Sequence, residues 1–142
     1  MNDILISIRP NFVEKILDGK KTVELRTRRA NLQPGTRMWI YSTLPQGEIC
    51  AMAHVEFVHT DSPDSIWEQF RDEIGITEHE FWDYVGNRDS VSAIKLASVD
   101  PVESGVTLQY IQKKLGAFSP PQFFKRLKND SPIHSLLCQA VW

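Results

Sequence analysis

Between Gly19 and Arg29 the chain reads Gly-Lys-Lys-Thr-Val-Glu-Leu-Arg-Thr-Arg-Arg, a basic stretch whose single acid is Glu24. As a strand, it would turn Val23 and Leu25 into a core and set Thr22, Glu24, Arg26 and Arg28 on the opposite face. Donors in a row around one acceptor can grip an anion or the edge of a base. The same residues also describe a solvated edge strand whose charges discourage aggregation. Lys21 can act as a base or nucleophile only if burial or nearby cations lower its pKa by about two or three units from about 10.4. Lys20, Arg26 and Arg28 could supply that field. Alternatively, Lys20 and Lys21 complement the C-terminal dipole of a preceding helix. Glu24 and Arg26 can pair with each other or with Arg9, a network into which a ligand could enter.

A second candidate lies late in the chain. Phe118-Ser119-Pro120-Pro121-Gln122-Phe123-Phe124 combines rigid proline turns with aromatic rings. It reads either as a hydrophobic lid or as a flap on which a base stacks while Gln122 reads its edge. Other chemistries find little support. His54, His59, His79 and His134 have no metal-ligand spacing with cysteines or carboxylates, and no metal or cofactor is expected. Cys50 and Cys138 lie far apart among apolar neighbours and read as free thiols. Neither a glycine-rich phosphate loop nor a Gly-x-Ser-x-Gly elbow occurs.

The elements that must position these residues can be read from periodicity. Ile4, Ile6 and Ile8 alternate with Leu5, Ser7 and Arg9, a strand that presents Arg9 at its end. Pro10 at a first helical position, then Phe12, Val13, Ile16 and Leu17 closed by Gly19, describes a short amphipathic helix. After the basic strand, a turn with Pro34 and Gly35 leads to Met38-Trp39-Ile40-Tyr41, and Pro45-Gln46-Gly47 precedes a long strand from Glu48 to Val58. There Ile49, Ala51, Ala53, Val55 and Phe57 are expected on one face, small residues suited to a curved sheet. Ser62 caps a helix carrying Ile66, Trp67, Phe70 and Ile74, and Thr77 with Glu80 forms a capping box for Phe81, Trp82 and Val85. Ser90 to Val99 is expected to be a strand broken by Pro101. The segments Thr107–Leu115, Pro120–Leu127 and Pro132–Val141 are expected to be short helices or turns.

With 142 residues, 42% hydrophobic and 24% charged, the chain is expected to form one domain over 1–142. No apolar run reaches the length of a membrane span and no secretory signal is visible, so a cytoplasmic location and no membrane partner are expected. A net charge of −2 argues against coating nucleic acid through bulk electrostatics. The distribution is uneven: ten acids between Glu56 and Asp89 oppose Arg71 and Arg88, while Gly105 to Lys128 carries five bases and no acid.

The opening Ile-Leu-Ile-Ser-Ile-Arg-Pro-Asn-Phe-Val-Glu-Lys-Ile-Leu-Asp-Gly-Lys-Lys-Thr-Val-Glu-Leu-Arg resembles the ASCH domains, a branch of the PUA-like superfamily. Trp39-Ile40-Tyr41-Ser42 before the Pro45 and Gly47 turn, Gly86-Asn87-Arg88-Asp89 before Ala93-Ile94, and Pro120-Pro121-Gln122 agree with it. The resemblance implies an α+β fold, a PUA-like small mixed β-barrel with short helices packed at its rim, and a cleft lined by the Lys21–Arg26 strand. ASCH domains are regarded mainly as RNA-binding modules; some members are single-strand ribonucleases, others amidohydrolases that deacylate N4-acetylcytidine. The amidohydrolase branch uses a lysine, a threonine and a glutamate. Here Lys21 matches the lysine, Glu24 stands in place of the threonine, and the distal glutamate falls near Glu73.

The leading expectation is therefore an intracellular binding domain for RNA or a nucleotide-like ligand. Arg9, Lys21 and Arg26 would meet phosphate or base acceptors, Glu24 would accept donors, and Tyr41 or Phe123 would stack. Lys20, Arg28, Ser42 and Gln122 complete the expected site. The alternative is an enzyme on RNA or a modified nucleoside, with Lys21 as base or nucleophile and Glu24 or Glu73 as proton partner. A third reading is a protein-interaction domain that works through the acidic Glu56–Asp89 region.

Overall fold

The structure is a computed structural model, and it describes residues 3–141. Strand β1 (Asp3–Ile8), helix α1 (Pro10–Leu17) and strand β2 (Val23–Arg26) open the chain, followed by β3 (Arg37–Ser42) and β4 (Glu48–Asp61). Helices α2 (Pro63–Phe70) and α3 (Glu78–Val85) precede β5 (Val91–Thr107), α4 (Leu108–Leu115), β6 (Phe124–Leu127) and α5 (Pro132–Val141). The six strands form one curled half-barrel sheet in the order β2-β5-β4-β3-β1-β6. All neighbours are antiparallel except β1 and β3, which α1 and β2 separate in the chain.

Alternation along β1 and β3 assigns the two faces. Ile4, Ile6 and Ile8 share one cluster with Met38 and Ile40, and α1 covers it through Val13 and Ile16. Leu5, Trp39 and Tyr41 face the other way, under Ile111 of α4 and Ile133 and Leu137 of α5. A third cluster joins Val23 and Leu25 of β2 to Ile66, Phe70, Phe81 and Val85 of α2 and α3. Burying each such large apolar side chain contributes about 2 kcal/mol, so all three layers hold β2 and its neighbours in place.

Local signals explain the helix ends. Ser62 Oγ accepts from Ser65 N at 3.3 Å at the start of α2, and Thr77 and Glu80 form the reciprocal box at α3, 2.9 and 3.2 Å. Helix α2 stops at Phe70, four residues before Ile74, and a turn follows. Cys50 is a buried free thiol that burial, with Glu48 nearby, pushes up to about 11; Cys138 is free and half-buried.

Three expectations are corrected. The one-face reading of β4 fails because register shifts interrupt it: Ile49 packs under α4 and α5, Ala51, Ala53 and Val55 join the α1 layer, and Phe57 packs against the α2–α3 layer. Pro101 does not end β5, which continues to Thr107. Pro101 pairs with Ala51 while Val106 pairs with Ile49, so residues 102–105 bulge out directly after the proline and the strand resumes pairing beyond them. Finally, Pro120–Leu127 includes a strand, β6, which pairs with β1.

Candidate functional site

The ends of β1 and β2, the Thr43–Leu44 turn, α3 and the Pro120–Gln122 segment enclose a cleft of about 840 Å³. At its base lies Lys21. The α1 turn delivers it: Lys21 N donates to Lys15 O at 3.0 Å, and Thr22 N and Val23 N both donate to Glu73 O, at 2.9 and 3.1 Å. The backbone thus changes direction at Lys21, whose side chain enters the cleft beside Glu24.

Lys21 is 3% exposed, and its Nζ donates to Ile74 O at 2.7 Å and lies 3.4 Å from Glu24 Oε1. Its ammonium also sits 5.3 Å from the centre of the Phe12 ring. Burial pushes the Lys21 pKa down, and the nearby Glu24 carboxylate opposes that shift. Gly75 holds the supporting loop close: with φ of +70°, it faces the Lys21 stem where any Cβ would lie 2.9 Å from Lys21 Cβ.

Arg26 bonds the second oxygen of Glu24 through Nε at 3.1 Å and through Nη2, and Nη2 also donates to Ser7 O at 3.0 Å. A single arginine therefore ties β2 to β1, strands that are not neighbours in the sheet. Ser7 Oγ in turn donates to Pro121 O at 2.6 Å and pins the proline segment to the same rim. The result is two cations held by one carboxylate, a buried positive centre with its donors prearranged. Phe12, Tyr41 and Tyr84 bring aromatic surface to the cleft, and Arg9 brings a further cation. Burial raises the Tyr41 pKa, which keeps its hydroxyl a donor. Such a cleft can take a flat, polar, negatively charged molecule.

Of the expected residues, Arg9, Lys21, Glu24, Arg26, Tyr41 and Gln122 line the cleft, while Arg28 and Phe123 line an adjoining groove. Lys20 and Ser42 do not line either. The Lys20 side chain is 77% exposed and pairs with Asp18, and Ser42 is buried with its Oγ on Gln46 Oε1 at 2.7 Å. Glu73 also lies off the cleft wall, bound to Lys95 and, at 3.3 Å, to Thr22 Oγ1. The glutamate that faces Lys21 is Glu24. Residues that sequence reasoning missed include Ser7, Phe12, Ile76, Asp83 and Tyr84. Phe12 fits the helical period of α1 and so reads as core. Only the exposure of Tyr84 distinguishes it from the apolar stripe of α3.

Comparison with known proteins places this geometry among relatives. Residues 2–116 match the model of a family described as domain of unknown function DUF365. An ASCH domain-containing ribonuclease of Zymomonas mobilis is 27% identical over 128 residues, 90% of this chain and 86% of that protein. The crystal structure of ASCH from Zymomonas mobilis superposes with a TM-score of 0.86 at 26% identity, covering 96% of this chain and 94% of that one. A human protein crystallised with 5-methylcytosine-containing DNA has a TM-score of 0.59 at 9% identity over 99% of this chain and 98% of that chain, a likeness of fold alone.

Proposed function

The chain belongs to the ASCH domain family and to the DUF365 family, and on that footing we propose that it binds single-stranded RNA in the Lys21–Arg26 cleft. The observation that carries the reading is the Lys21–Glu24–Arg26 network, a prearranged cationic centre beside aromatic walls. Arg26 and Arg9 take a phosphate, and a base lies against Tyr41 or Tyr84, within reach of Gln122. Glu24 accepts from a sugar hydroxyl or an exocyclic amine. The Zymomonas relative is named a ribonuclease, which supports RNA as the polymer.

The test is a titration of labelled single-stranded RNA at two salt concentrations, with a Glu24→Ala, Arg26→Ala double variant beside the unaltered protein. Binding should be salt-sensitive and fall roughly tenfold or more in the variant. Binding that is unchanged removes RNA from this cleft.

A second reading, cleavage of that RNA, draws on the burial of Lys21 and on the relative's name. With its pKa lowered, Lys21 Nζ takes the proton of a 2′-hydroxyl. The 2′-oxygen attacks the adjacent phosphorus, and the departing 5′-oxygen takes a proton from the Tyr41 hydroxyl, leaving a 2′,3′-cyclic phosphate. Glu24 stays charged as the counterion. Product formation that vanishes in Lys21→Met while binding persists supports this reading; no product from the unaltered protein removes it.

A further inference from the structure

A second groove of about 570 Å³ opens beside the cleft, and the two share Arg26, Tyr84, Pro121 and Gln122 along one wall. Their charges differ. The first is lined by both signs, with Glu24, Glu80 and Asp83 opposite Arg9, Lys21 and Arg26. Arg26 and Arg28 are the charged residues of the second, and no carboxylate lines it. The two arginines are also in different states. Arg26 has Nε and Nη2 engaged by Glu24 and Ser7 O, which leaves Nη1 for the phosphate of the first cleft. Arg28 is exposed and forms no ion pair among the described residues; its guanidinium rests 6.0 Å from the Phe123 ring, which Arg26 also approaches at 5.6 Å.

An aromatic ring against a guanidinium whose N–H groups remain open, in a groove without acids, is suited to one phosphate group. We propose that this groove is a phosphate subsite for the next nucleotide of the chain seated in the cleft. The ligand class is then a single-stranded ribonucleotide chain of at least two nucleotides that crosses the shared Tyr84–Gln122 wall. A free nucleoside or mononucleotide fills only the first cleft. This rests on the reading of the first cleft as an RNA site, and it adds the course of the track: from the mixed-charge cleft to Arg28 and Phe123.

Calorimetric titration with mixed-sequence mononucleotides, dinucleotides and octanucleotides tests it, using the unaltered protein, Arg28→Gln and Arg28→Lys. The octanucleotide should bind roughly tenfold more tightly than the mononucleotide. Arg28→Gln should remove most of that gain, reduce the salt slope by about 0.7 and leave mononucleotide binding unchanged, while Arg28→Lys recovers part of it. A mononucleotide that binds as tightly as the octanucleotide overturns the subsite. So does octanucleotide binding that requires Arg26 but ignores Arg28, a result that leaves the first cleft intact. Binding of no ligand at any length removes both readings together.

Discussion

At the scale of single residues, Lys21 is held by its surroundings more than by its own strand. Its Nζ reaches Ile74 O, Lys15 Nζ donates to Gly75 O at 2.7 Å, and Gly75 leaves room for the Lys21 stem. Gly75→Ala adds left-handed backbone strain and a 2.9 Å clash. It should destabilise the fold by about 2–3 kcal/mol and weaken RNA binding, read by urea unfolding and by titration. Gly19 has φ of +84° with nothing near its missing Cβ, so Gly19→Ala should cost only about 1 kcal/mol and spare binding. Lys21 itself predicts a pH effect. Its folded pKa lies below the unfolded value, so between the two the unfolded chain binds more protons and stability rises with pH. Lys21→Met should abolish that rise in urea unfolding between neutral pH and about pH 10. Glu24 and Arg26 share a face by alternation and were legible together; Lys21 was legible by type alone, because it reaches the cleft through the turn before β2, which spacing does not encode. Tyr84 and Phe12 were not, because an aromatic at helical spacing carries no mark of which side of the helix rim it ends on.

At the scale of elements, α5 is latched to the sheet by one carboxylate. Asp3 on β1 is 1% exposed, and its Oδ2 accepts from Arg37 Nε and Nη2 at 2.9 and 2.7 Å, from Trp39 Nε1 at 3.0 Å, and meets His134 Nε2 at 3.0 Å. Burial alone would raise the Asp3 pKa, but the hydrogen bonds from Arg37 and Trp39 and the charge of Arg37 outweigh it and hold it below its ordinary value. A carboxylate lowered in this way stabilises the fold above the unfolded pKa near 3.8, and that contribution is lost as pH falls through the lower folded value. Asp3→Asn should cost about 3 kcal/mol at neutral pH and flatten the acid limb of stability, measured by denaturant unfolding from about pH 6 to about pH 3. Nothing in the sequence announces this latch, since its members lie 131 positions apart at the extremes. The capped helices α2 and α3 and the alternating strands β1 and β3 were readable because each carries its own local signal. The bulges of β4, the passage of β5 through Pro101 and strand β6 depend on pairing with distant partners, which periodicity alone does not encode.

At the scale of the whole molecule, the uneven charge of the chain folds into a cleft where both signs meet. Net charge is −2, so any polyanion must be drawn in locally and against the acidic α3 rim. Glu80 is bound into the helix cap, its pKa lowered by the Thr77 backbone and side-chain hydrogen bonds, and it stays ionised on the cleft wall. Asp83 has no such structural duty: it is exposed, and its partner His79 is exposed too, at 3.2 Å. Removing its charge changes the field in the cleft without disturbing the cap or the Lys21–Glu24–Arg26 network. A like charge at partly screened range should weaken phosphate binding by a factor of about two to five. Asp83→Asn should therefore tighten binding of single-stranded RNA by about that factor at low salt, and the gain should fade as salt is raised, with the melting temperature unchanged. An unchanged affinity at low salt would mean that no phosphate of the seated chain lies within screening range of Asp83, so that the bound chain runs toward Arg28 rather than along α3.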